Sequence, residues 1–129
     1  MYLFDASAIL NLIKRANLKP FSQGLTLDLA IYESLNAIWK EYSLLNHIDY
    51  ETAQEYINLV KNVFEILHIE SINGIEEKVF ELANKEKLTI YDAAYLAKSI
   101  KANYILVTDD EKLLKKASKY IRALRSKEL

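Results

Sequence analysis

The sequence predicts an α/β domain with a four- or five-stranded, mostly parallel sheet covered by helices on both faces, and three observations predict it. Short apolar strands alternate with helical patterns of ten residues or more, the length that a crossover between parallel strands needs. Two of those strands end abruptly in carboxylates, Tyr2-Leu3-Phe4 at Asp5 and Tyr104-Ile105-Leu106-Val107 at Asp109-Asp110. Finally, a chain of 129 residues with 51% hydrophobic and 27% charged side chains reads as one globular domain over 1–129. At that size about two-thirds of the unfolded surface is buried.

Taken in order, residues 2–4 are the first strand, and Ile9, Leu10, Leu12 and Ile13 then stand at helical spacing between Ala6 and Arg15. The chain turns around Pro20 and Gly24. Leu25, Leu27 and Leu29 alternate with polar residues as a second strand, and a helix opens at Ala30. Ile31, Leu35, Ile38, Tyr42 and Leu45 step by four and three, which predicts the buried stripe of that helix and leaves Glu33, Asn36 and Lys40 off it. A longer helix begins at Asp49 or Tyr50 and keeps period through Ala53, Tyr56, Ile57, Val60, Val63, Phe64 and Leu67.

His68 to Ile72 alternates over a short span and is a weak strand. Asn73 with Glu76 reads as a capping pattern that opens a helix to about Lys87, and Thr89 with Asp92 repeats it for a helix through Lys101. Tyr104–Val107 is the strongest strand in the chain. A Lys-rich helix follows Thr108-Asp109-Asp110 and runs to about Lys119.

Composition excludes several functions. Without cysteine there are no disulfides, thiol nucleophiles, zinc ribbons or iron–sulfur sites. With Gly24 and Gly74 as the only glycines, neither a P-loop nor a GxGxxG dinucleotide fingerprint can be written. No apolar run reaches the roughly 18 residues of a membrane helix, and Asp5 stands where a signal peptide wants positive charge, so a soluble cytoplasmic protein is expected. The net charge of −1 is segregated: residues 111–129 hold seven basic and two acidic side chains, against ten and sixteen in the first 110. Such a basic end could meet a polyanion, although a Lys-rich helix is more often a solvated face.

If the strands ending at Asp5 and Asp109-Asp110 are neighbours, their carboxylates converge beyond one sheet edge, where α/β sites sit. Each acid alone has a structural explanation as a helix cap: Asp5 and Asp109 as N-caps, Glu111 completing a box with Thr108, Asp92 with Thr89. Glu33 near a helix start is favoured by the helix dipole. Jointly they point elsewhere. Clustered carboxylates raise one another's pKa, and Mg²⁺ or Mn²⁺, hard ions that take oxygen ligands, relieve that repulsion and support phosphodiester hydrolysis. His47 and His68, the only histidines, lie in no HExxH pattern, and a serine triad lacks its nucleophile elbow.

Four pieces in order then resemble the PIN-domain family of nucleases, and the length resembles its VapC-like toxin branch. They are Asp5-Ala6-Ser7 after the first strand, Glu33 with Asn36 on the second helix, Tyr91-Asp92-Ala93-Ala94-Tyr95-Leu96-Ala97, and Leu106-Val107-Thr108-Asp109-Asp110-Glu111-Lys112-Leu113. The resemblance implies a PIN-like three-layer α/β/α fold and metal-dependent endoribonuclease activity on RNA. It also implies homodimers and inhibition by a cognate antitoxin.

By position it implies an acidic quartet of Asp5, Glu33, Asp92 and Asp110, with Ser7, Thr108 and Asn36 in support. Asp109 stands at a variable position, and either it or Asp110 could turn to the metal while the other caps the helix. Lys14, Arg15, Lys112, Lys115 and Lys116 are candidates for phosphate contact by their place near the two acidic strand ends. Two rivals stand beside this reading: a catalytically inactive PIN-like module that binds RNA or protein, and a phospho-accepting receiver domain. The receiver wants an acidic pair after the first strand, where Phe4-Asp5 offers one acid.

Overall fold

The computed structural model describes residues 1–129, and its strands form one five-stranded, all-parallel sheet. In chain order the elements are β1 (Tyr2–Phe4), α1 (Ala6–Lys14), β2 (Gly24–Leu27), α2 (Leu29–Trp39), α3 (Tyr50–Ile66) and β3 (His68–Glu70). There follow α4 (Glu76–Glu86), α5 (Ile90–Ala102), β4 (Ile105–Val107), α6 (Glu111–Ala117) and β5 (Ala123–Leu124). The sheet order is β3-β2-β1-β4-β5. Leu3 and Phe4 are adjacent on β1, point to opposite faces, and are both fully buried, so helices cover both sides of the sheet. On one part of the molecule α1, α2 and α3 pack together, and on another α5 packs against α4 and α6.

The strand order makes β1 the topological switch. The chain winds outward from β1 through β2 to β3, then returns to pair β4 along the other side of β1, in register Phe4 to Val107. A crevice therefore opens beyond the carboxyl ends of β1 and β4.

Several local expectations change in the fold. Leu29 starts α2 rather than ending β2, and β2 is buried on both faces, Thr26 included, because elements of the fold cover both faces of the sheet there; the Thr26 hydroxyl donates to the Phe4 carbonyl at 2.7 Å. The apolar stripe predicted for α2 holds at Ile38 and is displaced by one residue before it. Ala30, Ser34 and Ile38 face the core, Ile31 is half-buried, and Leu35, Tyr42 and Leu45 are exposed. After Trp39 the helix widens into a π turn over Lys40–Leu44, so a 3.6-residue period cannot be carried through to Leu45.

Asn73 does not cap α4. Ile75 holds that position, and the Glu76 carboxylate accepts from the Gly74 amide at 2.9 Å. Thr108 does not cap α6 either: Asp110 does, accepting from the Leu113 amide at 2.9 Å, while Glu111 pairs with Arg125. The Lys-rich helix stops at Ala117, short of Lys119, and Ala123–Leu124 follow as β5, the fifth strand of the sheet.

Gly24 sits where β2 passes under the Phe4 ring. A Cβ there would lie 2.3 Å from Phe4 Cε2 and 2.8 Å from the Tyr2 carbonyl oxygen. Since Phe4 is fully buried and the second contact is backbone, neither neighbour can move away cheaply. Gly24→Ala is expected to destabilise the domain by about 2–3 kcal/mol in urea unfolding, with an unchanged m-value.

Candidate active site

Asp5 stands at the switch point of the sheet, where β1 ends and α1 begins. Its backbone amide donates to the Val107 carbonyl at 3.1 Å, continuing the β1–β4 ladder by one residue, and its carboxylate caps α1 through the Ala8 amide at 2.9 Å. Only 4% of the residue is exposed. Two hydroxyls close around it: Ser7 Oγ donates to Oδ1 at 2.6 Å, and Thr108 Oγ1 donates to Oδ2.

The same hydroxyls grip the loop after β4. Ser7 accepts from the Asp109 amide at 2.9 Å, and Thr108 accepts from the Asp110 amide at 3.1 Å. Each hydroxyl thus accepts a hydrogen bond from an amide of the β4 loop and donates one to Asp5, which locks the two strand ends together. Burial nonetheless dominates the charge on Asp5. Against the Ser7, Thr108 and Ala8 hydrogen bonds, and with the Asp92 charge adding to it, burial pushes the carboxyl up to about 7.

Asp92 lies in the first turn of α5. The Thr89 hydroxyl caps that helix by accepting from the Asp92 amide at 3.1 Å, so the capping pattern is present in half. The carboxylate does not complete the box, and its pKa is raised by burial and then by the charge of Asp110, with Lys112 opposing. Glu33 projects from α2 and is half-buried. It is raised by burial and again by Asp92, while the Tyr95 hydroxyl, donating to Oε1 at 2.9 Å, works the other way. In all three groups burial is the larger cause, and to it the charge of Asp92 adds at Asp5 and Glu33 and the charge of Asp110 adds at Asp92.

Asp109 turns away from this group. Its carboxylate accepts from Asn11 Nδ2 at 2.7 Å, from the Ser126 amide at 2.8 Å and from the Ser126 hydroxyl. Burial alone would raise its pKa, but these bonds and the nearby Arg15 outweigh it, and the group is held below the usual carboxylate range. Asp109 is thus an anchor between α1 and the C-terminal turn, and the exposed Asp110 is the acid of this loop that faces Asp92 electrostatically.

Asn36 is exposed and lines one cavity with Glu33. Of the basic residues near the strand ends, Lys112 acts on Asp92, whereas Lys14 pairs with Glu41, Arg15 bonds Ser126, and Lys116 lies 3.9 Å from Glu86. His47 and His68 are exposed and take no part.

Sequence reasoning assigned no role to Tyr95 or Asn11. Tyr95 is three residues after Asp92, which places both on one face of α5, and that spacing was the available signal. Nothing in the sequence marks Asn11, whose partner is 98 residues away.

As they stand, no three acidic side chains converge closely enough to enclose an ion. Mg²⁺ does not demand it, since it keeps several waters and binds through one or two carboxylates. The donor set is all oxygen, and it includes a buried aspartate that is costly to ionise without a counter-charge. It fits a hard divalent cation.

A parallel α/β sheet whose strand ends at the switch point carry a buried, hydroxyl-locked aspartate defines a class of α/β domains with an acidic strand-end site. Within that class, the PIN domain family matches residues 2–119, and the chain belongs to this family. It is similar to Exonuclease VapC9 of Pyrobaculum aerophilum, 33% identical over 117 residues that cover 89% of this chain and 84% of that protein. It is similar also to Ribonuclease VapC3 of the same organism, 34% identical over 91 residues, 70% of this chain and 69% of that one. The crystal structure of PAE2754 from Pyrobaculum aerophilum has the same fold, with a TM-score of 0.80 and 29% identity over 98% of this chain and 84% of that chain. Among PIN domains the chain is VapC-like.

Proposed function

We propose that this single VapC-like PIN domain is a divalent-metal-dependent endoribonuclease that hydrolyses RNA phosphodiester bonds as the toxin of a cytoplasmic toxin–antitoxin pair. One observation carries the reading: at the carboxyl ends of the adjacent strands β1 and β4 the buried Asp5 carboxylate is held by Ser7 and Thr108, whose hydroxyls also accept from the amides of Asp109 and Asp110. The names of the two VapC relatives, an exonuclease and a ribonuclease, support nuclease chemistry here.

In this reading Asp5, Asp92 and Asp110 would hold Mg²⁺ or Mn²⁺, with Glu33 binding directly or through water. A bound ion of this kind activates a water and stabilises the leaving oxygen of an in-line attack at phosphorus. Ser7 and Thr108 keep Asp5 oriented, and Tyr95 holds the Glu33 carboxylate where it takes the proton of the attacking water. Asn36, one turn from Glu33, supports it from the same cavity. Lys112 adds positive charge on the Asp92 side, where a phosphate enters. Hydrolysis leaves a 3′-hydroxyl and a 5′-phosphate.

The exposed Leu35, Trp39, Tyr42, Leu44 and Leu45 supply an apolar surface suited to an antitoxin or a second copy in a homodimer. No helix is long and apolar enough to cross a membrane.

The test is cleavage of end-labelled single-stranded RNA by wild type and Asp92→Asn with Mn²⁺, with Mg²⁺ and with EDTA. Metal-dependent cutting by wild type and its loss in the variant is the expected result, and internal fragments rather than a ladder from one end distinguish endonuclease from exonuclease action. Equal cutting by both proteins removes Asp92 from the site. No cutting by either, with metal bound, favours a binding module.

A further inference from the structure

The acids do not stand on a bare edge. Beside Glu33 lies a cavity of about 720 Å³ lined by Leu29, Tyr32, Glu33, Asn36 and Tyr91. Its volume falls within the range of small-molecule sites, roughly 300–1,000 Å³. Two of its walls are tyrosines that the fold does not use for packing. Tyr32 is 77% exposed and Tyr91 is 60% exposed, and neither makes a hydrogen bond or an aromatic contact, in contrast to Tyr95, Tyr104 and Tyr120, whose hydroxyls are all bonded to glutamates.

Their positions are tied to the acids by sequence. Tyr32 precedes Glu33 on α2, and Tyr91 precedes Asp92 on α5. Tyr32 and Tyr91 share this cavity with Glu33, so an RNA whose phosphate sits beside Glu33 can lay an adjacent base against these rings. Leu29 adds apolar surface, and Asn36 offers an amide donor and a carbonyl acceptor in the same cavity.

We infer that the Tyr32–Tyr91 cavity is a base-binding subsite that holds one unpaired nucleobase of a single-stranded RNA beside the reacting phosphate. The inference rests on the ribonuclease reading for its phosphate, but not on turnover. Stacking on tyrosine is tolerant of base identity and requires the base to be out of a helix, so the subsite selects single-stranded over double-stranded RNA. Asn36 then gives a preference among bases through hydrogen bonds to the base edge.

The experiment is fluorescence anisotropy of a fluorescein-labelled single-stranded RNA 10-mer, with Ca²⁺ present to neutralise the carboxylates, run beside Mn²⁺-dependent cleavage of the same RNA. Tyr32→Leu and Tyr91→Leu are each expected to weaken binding about tenfold, the double variant further, and Tyr32→Phe and Tyr91→Phe to stay within about twofold. A blunt duplex of the same sequence is expected to bind wild type and the leucine variants alike.

Binding unchanged in the leucine variants overturns the subsite. If those variants then also change self-association in size-exclusion chromatography, the rings belong to a protein contact. No RNA binding by wild type overturns it as well. The two proposals separate cleanly: tyrosine-dependent binding without any cleavage keeps the subsite and removes the nuclease, whereas metal-dependent cleavage with a KM untouched by the leucine substitutions does the reverse.

Discussion

Asp5→Asn is expected to abolish RNA cleavage and, in EDTA at pH 8, to raise the melting temperature of the protein. Loss of activity should exceed about a hundredfold, because removing even an outer-shell partner of a metal ligand costs roughly 10–100-fold. The stability gain follows from burial. Folding lifts this carboxyl from 3.8 to about 7, so the folded state binds the proton more tightly than the unfolded chain. The group's contribution is fully present below pH 3.8 and is lost as pH rises through 7. Above pH 7 the metal-free wild type carries the whole cost of an ionised, buried aspartate, on the order of 4 kcal/mol from a shift of about three units.

Asparagine removes the charge and keeps an oxygen to cap Ala8, at the loss of charge-assisted bonds from Ser7 and Thr108. The net gain at pH 8 is expected to be roughly 1–3 kcal/mol, shrinking as pH falls toward 4. Thermal melts across pH 4–8 in EDTA, repeated with Mn²⁺, read both effects: Mn²⁺ should raise the wild-type melting temperature and leave the variant unmoved. A variant that melts below wild type at pH 8 would make Asp5 a helix cap first and a ligand second.

Asp109→Ala and Asp110→Asn are expected to separate stability from activity in opposite directions. Asp109→Ala strips three hydrogen bonds, leaves Asn11 and Ser126 without their partner, and loosens the C-terminal turn from α1. A cost of about 2–4 kcal/mol follows, with cleavage by the folded fraction within about tenfold of wild type. Asp110→Asn keeps an N-cap as good as aspartate for the Leu113 amide, so stability stays within about 0.5 kcal/mol. Its cleavage should fall by more than about a hundredfold. Urea unfolding and the end-labelled RNA assay on both variants check this. The crossed result, a stable and inactive Asp109→Ala, would exchange the roles of the two aspartates.

Much of the candidate site was legible because acids that end strands are local features. Asp5 and Asp109-Asp110 follow runs of apolar residues, and Asp92 sits three residues after Thr89, where an N-terminal helical turn is written in four positions. The apolar face of α2 was misread for an equally local reason. Periodicity assumes a constant helical pitch, which the π turn over Lys40–Leu44 breaks for Tyr42 and Leu45, and before it the small Ala30 and Ser34 take the core-facing positions that spacing alone gave to Ile31 and Leu35. β5 escaped notice because two residues, Ala123 and Leu124, carry no alternation to detect.

By itself the sequence determined the kinds of elements, their order and the chemistry of the residues at their ends, since hydrogen bonding and amphipathic spacing operate over a few neighbours. It established as well that no cysteine or glycine-rich chemistry was open to this chain. The tertiary structure alone decided that β1 lies against β4, which brings Asp5 and Thr108 into contact across 103 residues of chain. It also decided that Asp109 turns to Asn11 and Ser126 while Asp110 caps α6 and adds its charge to Asp92, a choice between adjacent residues with the same side chain. No local rule separates the two. What separates them is which partners the folded chain brings within hydrogen-bonding distance, and those partners come from α1 and the C-terminal turn.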